Sequence, residues 1–335
     1  MFGMTGNIPY WFLSNNNSVS LYSSVRIARN FKFINFPSTG EYNSFRQVEK
    51  RAEIILESLL EEGIVEFYDL SLIDPDELKR LQKFRILPET RNEILSNMKL
   101  YYHKDLRSFL LTNYTDHLTF FSHFGGTEIQ KAYESCSLFA GMFDRTDLSI
   151  DENGNYYTSL LDYFGTGLKC FSVLTIPVLR ISDSYKTVIS SLALNMIDKK
   201  DYFSIEDNDF IVITNRDSLS KDRDEIISNF KKILDELAAV SEKILDENVG
   251  KIEILRQKCK KIINYDTLTF KDFIEIYNIL SFFRMKRLSK ISISELNEQL
   301  VKQIINSSKS LHLNEEFRNR VIKDLTENDA KNLIK

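Results

Sequence analysis

The chain has 335 residues, 43% of them hydrophobic, which is enough to bury a sizeable core and argues against disorder over most of its length. Its 44 basic and 48 acidic residues leave a formal net charge of −4, so nothing global attracts nucleic acid or an anionic membrane. Three widely spaced cysteines, Cys136, Cys170 and Cys259, together with the lack of a signal-peptide pattern or of an apolar run near 18 residues, lead us to expect reduced thiols in a soluble, cytoplasmic protein.

From Ser44 onward, Phe45, Val48, Ala52, Ile55, Leu56, Leu59 and Leu60 recur at helical spacing, and Ser44 with Gln47 forms a capping-box pattern that predicts the helix start. Asp74 before Pro75 predicts a second helix, because the aspartate accepts from first-turn amides and the proline removes one of them. Between Met98 and Ser122 the runs MKLYYH, SFLLTN and HLTFFSH are rich in β-formers and separated by polar breaks, predicting strands. A helical stripe returns at Ile129, Ala132, Tyr133, Cys136, Phe139, Ala140 and Phe143, and residues 156–161, 170–179 and 210–214 again read as strands. That mixed order predicts an α+β fold rather than a regular βαβ alternation. After Asp222 almost every segment has helical period, at residues 224–246, 252–263, 269–285, 292–307 and 315–325. Gly250 is the expected hinge between an α+β domain of residues 1–250 and a helical domain of residues 251–335.

Four stretches, taken in order and at their separations, carry a resemblance to a known family. YSSVRIARNFKFINFP at 22–37 is similar to SSRIRLARNLxxxPFP, and LIDPDELKRLQKFRILPETRN at 72–92 to LSxLDRxxLxERHLISPxLA. NYTDHLTFFS at 113–122 is similar to NEEDHIRIQ, and DYFGTGLKCFSVLTIPVL at 162–179 to PTNVGTGLRASVMLHLPAL. These are patterns of the bacterial protein-arginine kinases, within the ATP:guanido phosphotransferase or phosphagen kinase family, and the helical tail resembles that group's dimerisation domain. The resemblance implies an antiparallel sheet flanked by helices and followed by a helical C-terminal domain. It also implies ATP and Mg2+ as cofactors if the chain is active, a homodimer, and protein partners from arginine phosphorylation or protease-adaptor control. Neither nucleic acid nor membrane is implied.

Phosphoryl transfer depends on neutralising and aligning a polyphosphate while the acceptor is positioned. The family is understood to use several arginines, whose fixed fork of donors grips phosphate, with carboxylates and a cysteine around the guanidinium acceptor. Carried over position by position, the paired arginines of the first motif become Ser24 and Arg26, and Arg29 matches the arginine of ARN. In the third motif Asp116 and His117 are kept, Tyr114 and Thr115 stand for the two glutamates, and Thr119 stands for the arginine. In the fourth, Gly165, Thr166, Gly167 and Leu168 are kept, while Leu160, Leu161, Asp162 and Tyr163 replace the cysteine and PTN. The arginine after GTGL is Lys169. The family's RGxYGExSEA loop corresponds to NMIDKKDYFSIEDND, where Lys199, Lys200 and Glu206 are loose substitutes. In the tail, NEEFRNRVIKDL resembles the phosphoarginine-binding pattern RDxxRA, with Asn314 and Glu315 replacing its first two residues and Arg318 matching its second arginine.

The resulting candidates are Arg26, Lys169 and His117 for ATP phosphates, Asp116, Asp162 and Glu206 as catalytic carboxylates, and Arg318 for phosphoarginine. Each has a plainer reading. Arg26 and Arg29 suit surface ion pairs on a strand, His117 a satisfied hydrogen-bonding residue, Cys170 the core, and Gly165 with Gly167 a tight turn. Phe270, Phe273, Ile276, Tyr277, Leu280 and Phe283 suit packing or a dimer seam. Removing one well-placed charged donor costs about 3 kcal/mol in the transition state, and cooperating groups fail together. The sequence therefore favours a pseudoenzyme that binds a protein partner. The alternatives are an active kinase with a site rebuilt from Arg26, Lys169 and a carboxylate, and a structural dimer held by the tail.

Overall fold

The computed structural model describes residues 4–5, 8–13, 19–88, 95–175, 179, 182, 187–188, 190–191, 197–201, 211–215, 221–265, 267–306 and 313–327, except for the side chains of residues 4, 5, 8, 162, 197–201, 245, 249 and 304–306. A short hairpin, β1 (Met4–Thr5) and β2 (Ile8–Pro9), leads into helix α1 (Tyr10–Leu13). The main strands are β3 (Ser20–Arg29), β4 (Val65–Asp69), β5 (Lys99–His103), β6 (Ser108–Thr112) and β7 (Leu118–Gly125), followed by β8 (Leu168–Leu174), β9 (Ile197–Asp201) and β10 (Ile211–Asn215). The longer helices are α2 (Tyr42–Glu61), α3 (Pro75–Lys83), α4 (Ile129–Ala140), α5 (Arg223–Glu247), α6 (Ile252–Ile263), α7 (Phe270–Met285), α8 (Ile293–Asn306) and α9 (Glu315–Glu327).

Eight strands form one antiparallel sheet in the spatial order β4-β5-β6-β7-β3-β8-β10-β9. Strand β3 lies inside it, bonded to β7 on one side and β8 on the other. Alternation along β3 sends Tyr22, Ser24, Arg26 and Ala28 to one face and Ser23, Val25, Ile27 and Arg29 to the other. The second face packs on α4, where Phe120 meets Phe139 and Phe143 edge-on and Cys136 is buried. One end of the first face takes α1, whose Trp11 contacts Tyr22, Phe109 and His123. Helix α8 reaches the same place: Asn297 donates from Nδ2 to the Phe12 carbonyl at 3.0 Å and accepts from the Tyr277 hydroxyl at 2.7 Å.

The β-rich runs at 98–122 become β5, β6 and β7, and the Asp74 cap forms as expected, its carboxylate accepting from the amides of Asp76 and Glu77. Three local expectations are corrected. The strand expected at 170–179 is β8, which ends at Leu174, with residues 176–178 outside the described residues and Leu179 helical. Helix α2 starts at Tyr42, with Ser44 buried inside it and the Ser44 amide bonded to the Glu41 carbonyl, so the capping box with Gln47 does not form. Residues 156–161 are not a strand: Tyr156 makes single bridges to Ile150 and Gly165, and a 3-10 turn begins at Leu161. The apolar stripe of α7 is buried at Phe273, Ile276, Tyr277, Leu280 and Phe283, so packing within the chain consumes it. Gly250 lies in a 3-10 turn, Val249–Lys251, between α5 and α6.

Candidate functional site

Asn30, Asp116 and His117 form one hydrogen-bonded unit where β3 ends and β7 begins. Asp116 is fully buried, and its Oδ1 accepts from Asn30 Nδ2 and from the Ser159 amide, both at 2.7 Å. Asn30 returns the contact by accepting from the His117 amide at 2.7 Å. His117 Nδ1 accepts from the Phe31 amide at 2.9 Å, which leaves Nε2 as the donor to the Asn35 carbonyl at 2.8 Å. Burial lowers the histidine pKa and keeps the ring neutral. Both ring nitrogens are thus engaged by backbone, which leaves no N–H for a phosphate. Asp116 likewise ties the 157–160 segment to β3 instead of facing a cleft. The left-handed turn at Asn113, with φ 56°, starts this hairpin, and its amide bonds the His117 carbonyl.

Arg29 belongs to the same framework and is not a surface residue. Its guanidinium is buried, donates from Nη1 to the Ala28 carbonyl at 2.6 Å and the Thr166 carbonyl at 3.1 Å, and lies 3.5 Å from the centre of the Tyr156 ring. Desolvation lowers its pKa to about 9. Gly165 and Gly167 have φ of 98° and 68°, and a Cβ on Gly167 would collide with Arg29 Nη1 and with the Ala28 carbonyl oxygen. The GTG turn is therefore a packing requirement between β3 and β8.

The opposite face of the sheet carries the other candidates. Arg26 stands opposite Phe121 on β7 and Lys169 on β8, and Ser24 stands opposite His123 and Phe171. The Arg26 guanidinium carbon lies 5.1 Å from the Phe171 ring centre and 5.8 Å from that of Phe121. Lys169 is buried, with Nζ 5.8 Å from the Tyr163 ring centre. Where the protein-arginine kinase patterns have glutamine and serine, this face has Phe121 and Phe171. The signal was present two positions beyond Thr119 and Lys169, but it acquires meaning only once the strands are paired. Arg26 Nε, Ser24 Oγ, Thr119 Oγ1 and both ring nitrogens of His123 are buried without hydrogen-bond partners. Burial, and secondarily the charge of Arg26, pushes the His123 pKa well below its usual value.

A cavity of about 550 Å³ opens beside the Asp116 unit, with Phe45, Asn113, Tyr114, Thr115, Ser159 and Leu160 on its wall. Three of these positions, Tyr114, Thr115 and Leu160, are those where the resemblance has two glutamates and a cysteine. Among the described residues lining the cavity none carries a charged side chain. Of the remaining candidates, Asp162 lies in the 3-10 turn Leu161–Tyr163 with its side chain outside the described atoms, and Glu206 lies outside the described residues. Lys199 and Lys200 sit on the edge strand β9, described as backbone. Arg318, on α9, donates to the Tyr265 carbonyl at 2.8 Å and so joins α9 to the end of α6. The structure gathers Asp116 and His117 in one place and Arg26 and Lys169 in another, with Arg318 in the helical tail.

This sheet, with its GTG turn and its paired cationic positions on one face, is that of a guanidino kinase. Residues 47–244, more than half of the chain, match the family profile of the ATP:guanido phosphotransferase C-terminal catalytic domain, and the chain belongs to that family. Its sequence relatives include bacterial protein-arginine kinases. That of Clostridium tetani is 25% identical over 337 residues, 95% of this chain and 97% of the relative. That of Halothermothrix orenii is 20% identical over 297 residues, covering 86% and 82%. Among solved structures, lombricine kinase shares the fold with a TM-score of 0.56 at 14% identity over 68% of each chain. The duplicated taurocyamine kinase of Schistosoma mansoni with bound transition-state-analogue components gives 0.58 at 14% identity, over 78% of this chain and 39% of that one. Among the described residues no helix is long and apolar enough to cross a membrane.

Proposed function

We propose that the chain is a protein-arginine-kinase-like scaffold that binds protein partners, as a homodimer, and transfers little or no phosphate. The observation that carries this reading is the face of β7, β3 and β8, where Arg26 lies between two phenylalanine rings in place of a polar, guanidinium-rich surface. A triphosphate brings several negative charges and needs convergent donors to hold it in line. Arg26 and Lys169 do not supply that set, and Phe121 and Phe171 occupy the positions beside them. Among the described residues, this face therefore does not fit the ATP and Mg2+ expected of an active relative. The cavity beside Asp116 supports the same reading, because a guanidinium entering it meets no counter-charge among the described wall residues.

Kinship to protein-arginine kinases supports a partner drawn from arginine phosphorylation or protease-adaptor control. The test is incubation of the purified chain with γ-labelled ATP and an arginine-rich unfolded protein. The expected result is no acid-labile label on the acceptor and no rise in melting temperature at millimolar ATP with magnesium. Labelling that Arg26→Ala abolishes overturns the proposal.

A further inference from the structure

We infer that the surface beside Tyr156, on the α4 side of the sheet, is a binding site for a phosphoryl dianion, with the guanidiniums of Arg145 and Arg223 as its ligands. Three guanidinium carbons converge on the buried Tyr156 ring, those of Arg29, Arg223 and Arg145 lying 3.5, 5.4 and 5.8 Å from its centre. They come from three separate elements: the end of β3, the first residue of α5 and the 3-10 turn Arg145–Asp147. Among the described residues no carboxylate pairs with any of the three. Like charges this close repel one another, and those near a buried ring are screened less than in open water, so the arrangement is costly until an anion joins it.

The acids nearest in sequence are engaged elsewhere or point away. Asp144 and Asp222 directly precede Arg145 and Arg223, but each carboxylate accepts from an amide of its own turn, Thr146 at 2.8 Å and Arg223 at 2.7 Å. Asp151 accepts from the amides of Asn153 and Asn155 in the same way. Asp147, Asp224 and Glu225 are exposed and pair with none of the three arginines. The Tyr156 phenol registers the resulting field: burial pushes its pKa up, yet the charge of Arg29, then the proximity of Arg223 and the charge of Arg145, outweigh burial and leave it below the usual value.

The three arginines have different parts. Arg29 is buried, with Nη1 spent on the Ala28 and Thr166 carbonyls, so it braces the ring and adds charge. Arg145 is exposed and Arg223 half-buried, so these are the two that a ligand reaches. Two guanidinium forks match both the charge and the several oxygens of a phosphoryl dianion, whereas a carboxylate carries one charge and fills one fork. The site shares no residue with the face of Arg26 and Lys169, so ATP turnover there, or its absence, does not bear on it.

The test is isothermal titration calorimetry of the full chain with sodium phosphate and, at matched ionic strength, sodium acetate. Phosphate is expected to bind at least roughly tenfold tighter than acetate. Arg145→Gln and Arg223→Gln are each expected to weaken phosphate roughly tenfold, and the double variant to abolish its binding. Arg145→Lys and Arg223→Lys, which keep the charge and lose the fork, are expected to fall between. Arg26→Ala, on the other face, is expected to leave the affinity within roughly twofold. Thermal melts by circular dichroism establish that each variant folds. A glycine–serine host peptide with one phosphoserine separates the sources of the ligand. Binding tighter than phosphate assigns the site to a phosphorylated polypeptide, and equal or weaker binding assigns it to a free phosphate compound. Acetate binding as tight as phosphate, phosphate affinity untouched in the double variant, affinity lost with Arg26→Ala, or no phosphate binding at all each overturns the inference.

Discussion

Two regions of the sheet have fared differently. At the edge formed by Asn30, Arg29, Asp116, His117 and Gly167, residues that match the family patterns are tied to one another and to backbone by short hydrogen bonds. On the face carrying Ser24, Arg26, Thr119, Phe121, Lys169 and Phe171, most matches have gone and the replacements are small or aromatic. Retention thus follows what the fold needs. A motif residue can survive because a turn collapses without it, so a match in sequence is evidence of chemistry only when the side chain faces the reacting groups.

The sharpest way to break that comparison is Gly167→Ala. The added Cβ meets the Ala28 carbonyl and Arg29 at a φ of 68°, and chemical denaturation is expected to show a loss of about 3 kcal/mol or more. A loss below about 1 kcal/mol would mean that the turn is not rigid. Asp116→Ala comes next: it strands the Ser159 amide and one hydrogen of Asn30 Nδ2, which keeps its bond to the Tyr157 carbonyl, at a cost of about 2–3 kcal/mol by the same measurement. A catalytic Asp116 without a framework role would leave stability nearly unchanged.

The pH dependence sharpens the picture on the other face. His123 is neutral in the fold because burial and Arg26 hold its pKa well below the unfolded value near 6.5. As pH falls below about 6.5 the unfolded chain takes up a proton that the fold refuses, so stability falls with pH, by up to about 1.4 kcal/mol per unit for this group. That decline continues until pH reaches the folded-state pKa. His103 and His117, also lowered by burial, add to it in the same direction. His123→Phe, among Trp11, Tyr22, Phe109, Phe121 and Phe171, should reduce the acid slope in denaturation curves taken between pH 4 and 7, a window set by the unfolded pKa of about 6.5. An unchanged slope would show that other groups dominate. The smallest effect is expected for Arg26→Ala, where only contacts with two rings are lost and denaturation should register about 1 kcal/mol or less.

The strands were legible in the sequence because β-formers clustered between polar breaks, and α3 because an aspartate and a proline carry local capping chemistry. The stretch at 156–161 was not, since its hydrogen bonds go to the Asp116 side chain and to single bridges, neither of which leaves a period. Ser44 misled for a related reason: a capping pattern has no force when Glu41 already opens the helix. The candidate site was half legible. Its departures from the family's arginine positions could be read directly, but the contrast between Arg29, which props a turn, and Arg26, which faces the rings, depends on strand parity and on a glycine's missing Cβ. The wall beside Asn113, uncharged at its described residues, required distant segments to be brought together.

Asn297 binds the Phe12 carbonyl across 285 residues of chain. A ribosome releases the amino-terminal aromatics long before α8 has been made, so during synthesis Trp11 and Phe12 can already pack on Tyr22, Phe84, Phe109 and His123, while the Phe12 carbonyl waits for Asn297. The first helix of this fold is therefore locked in place only after α8 has followed it off the ribosome, a closure across nearly the whole described chain.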